Sequence, residues 1–222
     1  MLWFITKALL QNMKSNGNYP GITICFTWHP FRDMILNQKY RPGMPRKPGN
    51  SNRMNKQYIL KEALKHGLCQ PWAEQMAQFT TADQMMDMYV RGIDFCFSTG
   101  FPSNEVLVQE AGSVMNNYGV YVDTDVQLCN ASFSVLLGKS LSVLRLTGYN
   151  VGELYLKDST VCTVEAADNS YLTIDCFDKS KLDIHSSGSA QVRVNIYGSA
   201  SCNYSSTGTS SVKIVHKHKA TY

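Results

Sequence analysis

The sequence predicts an α+β chain that is mainly β: a small N-terminal helical bundle followed by a C-terminal parallel β-solenoid built of ten-residue units. Three observations predict it. From Gly138 to Gly208 an Asp or Gly recurs every ten residues without insertion. Residues 54–112 space their apolar side chains by three and four, between recognisable helix starts and stops. After Gly119, in GVYVDTDV, the pattern changes to alternation.

Composition bounds the rest. The 222 residues suffice for one or two domains with a buried core, and 44% hydrophobic content fits a globular protein. No apolar run reaches the length that spans a bilayer, so no membrane partner is expected. The opening MLWFITKALL is too short and too poorly flanked for a convincing secretion signal. Positive charge is concentrated at the start. Residues 1–53 hold eight Lys/Arg against Asp33 alone, whereas the remainder holds 13 basic and 16 acidic side chains. That remainder does not suit a nucleic-acid surface, and the basic arm lacks regularly interleaved aromatics, so no nucleic-acid partner is expected.

Residues 1–53 are expected to form a poorly ordered basic extension. Its end, RPGMPRKPGNSNR from Arg41 to Arg53, is a Pro/Gly linker. GITICFTW ahead of it offers one isolated strand, and Met54 marks a second place where the working chain could begin.

In residues 54–112, NKQYILKEALKHG pairs Ile59 with Ala63 and Leu60 with Leu64 before Gly67 stops the helix. Pro71 suits the first turn of PWAEQMAQF. Thr81 and Gln84 predict a capping box opening one long helix, TADQMMDMYVRGIDFCFSTG, that ends near Gly100. A fourth helix runs from Ser103 to Gly112. Short connections make this a compact antiparallel bundle of three or four helices, suited to attachment or oligomerisation. Met76, Met85, Met86 and Met88 fall at helical spacing and are expected in its core rather than on an adaptable binding surface. Residues 113–127 follow as a connecting strand, and 128–222 as the solenoid.

The decapeptide frame is set by Gly138, Gly148, Asp158, Asp168, Asp178, Gly188, Gly198 and Gly208, residue types that tolerate left-handed turn geometry. Two residues later comes a small or polar side chain, such as Ser140, Thr160 or Ala190. Four and six residues later come mostly apolar ones, such as Leu172 and Ile174. Positions between them carry solvated side chains, including Thr163, Glu165, Asp183 and Arg193. Each unit is therefore a half-buried strand plus a turn. Uniform register favours a solenoid over a meander, with either two units per coil or three in a triangular coil. Ser142, Gly152 and Ser206 leave its core column thin, and a slender solenoid gains from self-association that hides its ends.

Units such as ADNSYLTIDC and SGSAQVRVNI resemble the decapeptide-repeat proteins of Bacteroidales phages and prophages, including head-fibre and tail-fibre proteins of crAss-like and related phages. The resemblance covers 54–222; residues 1–53 and the degenerate units before Asp158 depart from it. It implies a non-enzymatic virion protein, made in the bacterial cytoplasm, that forms a homo-oligomer and contacts other virion structural proteins. A host-surface glycan is a further candidate partner. Two alternatives stand: a cellular polymer-forming or adhesin-like solenoid, and a carbohydrate-active β-helix enzyme.

The chemistry-bearing residues give no catalytic, metal or cofactor-binding site, and no cofactor is implied. Asp158, Asp168 and Asp178 lack the dense carboxylate spacing of calcium-binding nonapeptide rolls and are expected to form turns. His66 and Cys69 flank a helix stop with no second pair. His216 and His218 alternate onto one face of a basic tail expected to be solvated. Glu165 and Asp175, on outward positions of successive units, are the one carboxylate pair expected to be near neighbours, and without sugar-stacking aromatics they read as surface charges. The seven cysteines are odd in number and unclustered, and several occupy apolar positions, as buried free thiols do.

Overall fold

The structure, a computed structural model, describes residues 55–222. The expected N-terminal extension, with its strand and linker, lies outside the described residues.

The described residues begin with helices. In α1 (Lys56–Lys65) the Asn55 side chain accepts the Tyr58 N–H, and Ile59 and Ala63 face the core while Leu64 stays exposed. Pro71 sits in the first turn of α2 (Gln70–Ala77). The expected capping box opens α3 (Ala82–Arg91): the Thr81 side chain accepts the Gln84 N–H, and the Gln84 side chain accepts the Thr81 N–H. The long helix expected from Thr81 to Gly100 is broken at Gly92, and α4 (Ile93–Thr99) begins there. The Trp72 ring fills the space beside Gly92, 2.9 Å from where a Cβ would lie, so packing against α2 favours glycine at the break. Gly100, at φ 67°, ends α4 in the left-handed conformation. Ser103 caps α5 (Asn104–Glu110). A further turn, α6 (Val114–Asn117), falls in the stretch expected to be a connecting strand. Only Met115 of its four residues is buried, which leaves no periodicity to read.

A parallel β-solenoid of about five turns occupies residues 120–216. Its strands are β1 (Val120–Val122), β2 (Val126–Cys129), β3 (Phe133–Leu137), β4 (Leu141–Leu146), β5 (Val151–Leu156), β6 (Val161–Ala166), β7 (Tyr171–Cys176), β8 (Lys181–Ser186), β9 (Gln191–Ile196), β10 (Ser201–Ser206) and β11 (Ser211–His216). Odd-numbered strands form one six-stranded sheet in sequence order, and even-numbered strands form a five-stranded sheet. From β3 onward each residue pairs with the one twenty further on, as Ile174 does with Val194. Two units therefore complete a coil, and successive units lie on opposite faces.

The solenoid starts earlier than residue 128 because β1 already pairs with β3. In this first coil the offset falls to 15 between Val120 and Val135 and to 16 between Val126 and Ser142, which is why the ten-residue frame fails before Gly138. The shortened coil also explains Gly152. Its missing Cβ would lie 2.9 Å from the Ala131 carbonyl oxygen, so the apparent gap in the core column is filled by backbone.

The interior holds four inward columns rather than the three read from the frame. The fourth lies eight residues past the turn: Leu146, Leu156, Ala166, Cys176, Ser186 and Ile196 are all buried. Together the columns form one continuous core inside the coil. A second core lies outside it. There Met76, Met85, Met86, Met88 and Phe97 of the helices pack with the outward-facing Val135 and Leu137 of β3 and with Phe177 and Tyr197, which directly follow β7 and β9. The methionines are thus core residues, as their spacing implied.

Candidate functional site

The corners of the coil carry the repeat aspartates. Asp158, Asp168 and Asp178 have φ between 57° and 64°, and the glycines at the same place in other units are also positive. Asp tolerates this region better than most residues because its short side chain can hydrogen-bond locally. Here each carboxylate also reaches the coil below. Asp158 accepts the Gly138 N–H at 2.7 Å, Asp168 accepts the Gly148 N–H at 2.8 Å, and Asp178 accepts the Asp158 N–H at 3.2 Å. The aspartates stitch one turn to the next. They do not converge, and no group of three or more His, Cys, Asp or Glu side chains suited to a metal exists among the described residues.

A cleft of about 250 Å³ lies where the helices meet one corner, lined by Tyr89, Phe97, Ser103, Asn104, Glu105, Lys157 and Asp158 among others. Its Lys157 and Asp158 are engaged within the fold. Asn104 donates to Asp158 at 2.8 Å, and the Lys157 ammonium pairs with Asp178 at 2.7 Å while lying over the Phe97 ring. Burial, and then the nearby Cys96 and Asp158, pushes the Tyr89 phenol well above its ordinary value and keeps it protonated. These contacts make the cleft a joint between helices and solenoid.

The joint continues across the outer face of the six-stranded sheet. Phe97 meets Phe177 edge-on at 5.0 Å, and Phe177 stacks on Tyr197 at 4.4 Å. Asp175, only 9% exposed, accepts from Asn195 at 2.5 Å and from the Tyr222 hydroxyl at 2.6 Å. The tail expected to be solvated therefore turns back over the sheet. The Gly198 N–H donates to the Lys219 carbonyl, and Tyr222 packs against Phe177 and Tyr197. Sequence reasoning missed this surface. Its signal is bulky aromatic side chains at outward positions, with Phe177 and Tyr197 twenty residues apart.

Other singled-out residues lie apart from one another. Glu165 belongs to β6 and Asp175 to β7, in different sheets, so they face opposite sides of the coil and are not neighbours. Glu165 is instead bound by Arg145 at 2.6 Å. His66 stacks on Phe101, whereas Cys69 is exposed at the cap of α2. The His216 and His218 rings are 6.3 Å apart. Cys69, Cys96, Cys162, Cys176 and Cys202 are free. Burial pushes the Cys96 thiol up to about 12 and that of Cys162 up to about 11, which makes both poor nucleophiles at neutral pH.

The two ends of the solenoid differ. At the N-terminal end the inward Tyr121 and Leu128 are buried, and the outward Val120 and Val122 pack against the helices. At the other end the inward positions open to solvent: Cys202, Val212 and Ile214 are partly exposed, and Tyr204 is 54% exposed. Ile184, the equivalent of Tyr204 one coil below, is fully buried.

No family model, no curated protein and no solved structure matches the chain.

Proposed function

We propose that the chain is a non-enzymatic structural protein of a phage or prophage particle, a short fibre-like appendage. In this reading the helices form a compact attachment bundle and the solenoid is a stiff rod with exposed Ser, Thr and Asn side chains on its outer faces. Those faces are the surface offered to a host glycan, and other virion proteins bind the helical side. The single observation that carries the reading is the joint. Phe97, Phe177, Tyr197, Asp175 and Tyr222 lock helices, sheet face and tail into one unit, so a load on the rod passes to the helices. The decapeptide resemblance supplies the particle.

The alternatives fit less well. A polymer that stacks end to end needs two open ends, and at the first coil the inward Tyr121 and Leu128 are buried. A glycosidase-like enzyme needs paired carboxylates on one face, and Glu165 and Asp175 lie on opposite faces.

Mass spectrometry of particles, purified on a density gradient from an induced culture of the source strain, tests the proposal. Peptides of this chain should co-sediment with the capsid proteins. Their confinement to the soluble fraction would overturn it.

A further inference from the structure

We propose that the open end formed by β10 and β11 binds the same end of a second copy, giving a closed, two-fold, end-to-end pair. The proposal concerns a surface that the particle reading leaves unused, and it stands whether or not the chain belongs to a particle.

The backbone makes the first argument. The N–H groups of Ser201 and Thr207 donate down to Ser180 and Ser186, and those of Ser211 and Lys217 donate down to Ala190 and Ile196. Strand hydrogen bonding alternates between neighbours. The N–H and C=O groups of Cys202, Tyr204, Ser206, Val212, Ile214 and His216 therefore point away from the coil, where neither sheet has a further strand among the described residues. Protected edge strands carry charges, Pro or a covering segment. β10, SCNYSS, has no charge and no Pro. The residues after β11 cover the outer sheet face rather than the end, since Lys219 bonds to Gly198 and Tyr222 to Asp175.

The side chains make the second. The end presents the cross-section of a core, with Tyr204, Val212 and Ile214 where lower coils hold the fully buried Ile184, Val192 and Val194. The occupant that supplies two strands at the same separation, together with a matching apolar layer, is another solenoid end. The first coil, whose inward Tyr121 and Leu128 are already buried, does not offer one, so the partner surface is the open end itself. A self-complementary surface closes as a two-fold pair rather than growing as a filament.

Charge selects the setting. A two-fold axis perpendicular to the sheets would lay β11 on its own copy and bring two Lys213 side chains together. An axis parallel to the strands lays β10 antiparallel on β11 of the second copy, so that each Lys213 meets a strand with no charge. The second setting is the one proposed.

Analytical ultracentrifugation of the full chain tests the pair. The wild type should sediment at twice the chain mass of 24.9 kDa. Tyr204→Lys, which places two charges in the interface at an exposed position, should give monomer with an unchanged circular dichroism spectrum and a melting temperature that no longer depends on protein concentration. Tyr149→Lys, at a position 85% exposed on a corner, should leave the dimer intact. A wild type that stays monomeric at all concentrations would overturn the proposal. So would a dimer that Tyr204→Lys leaves intact, or assembly into filaments.

Discussion

The backbone of Asp158 has φ 64°, and its carboxylate accepts both the Gly138 N–H and the Asn104 side chain. Two substitutions separate these contributions. Asp158→Gly keeps the turn and removes the acceptor, leaving the Gly138 N–H to water. Asp158→Ala loses the acceptor and adds about 1–2 kcal/mol of left-handed strain. Denaturant unfolding should rank the alanine chain below the glycine chain, and the reverse order would contradict the turn role. A second prediction at this scale concerns alkaline pH. Burial raises the thiols of Cys96, Cys162, Cys176 and Cys202, and burial with the hydrogen bond to Asp175 raises the Tyr222 phenol. Groups raised in the fold bind more protons there than in the unfolded chain, so their contribution is complete below the ordinary thiol value of about 8.5 and declines above it. The melting temperature should be flat from pH 7 to 8 and fall between pH 9 and 11. A flat profile to pH 11 would contradict the buried placement of these thiols.

Single elements show how much was legible in the sequence. The capping box at Thr81, the stop at Gly100 and the cap at Ser103 depend on a few adjacent residues, and all were readable. The close approach at Gly92 was not, because it involves Trp72 from a different helix. The ten-residue frame read the parallel solenoid, its turns and three of its four inner columns. It did not read the first coil, where offsets of 15 and 16 break the period. Nor did it read the joint, because an outward aromatic such as Phe177 looks the same in sequence whether helices or water cover it. Gly152 shows the same limit: Ala131, from a neighbouring coil, decides whether it is a gap. Gly152→Ala should therefore destabilise by about 1–3 kcal/mol, as overpacking does, in thermal unfolding. No change would mean that the Ala131 backbone yields freely. Phe177→Ala removes a ring that is 1% exposed and touches Phe97, Tyr197 and Tyr222. Its expected cost is about 3–5 kcal/mol, with faster proteolysis in residues 55–118 than in the coil. Uniform cleavage would contradict its place at the joint.

Across the whole molecule, each coil contacts mainly the coils above and below it, so stability is distributed along the rod as a sum of neighbour terms. The strands between β5 and β8 have neighbours on both sides and fully buried columns. β10 and β11 have one neighbour each and open columns. Amide exchange should thus be slowest in the middle coils. This polarity, with helices joined along one face and the outer face of the five-stranded sheet left clear by the described residues, is what makes the chain a candidate appendage. That clear face presents Asp183, His185, Asn203 and Ser205. Electron microscopy of purified particles labelled with a gold-tagged antibody against this face tests the account most directly. The account predicts label at the particle periphery, at a constant distance from the shell. Particles that contain the chain by mass spectrometry yet stay unlabelled while intact, and label only after disruption, would contradict it.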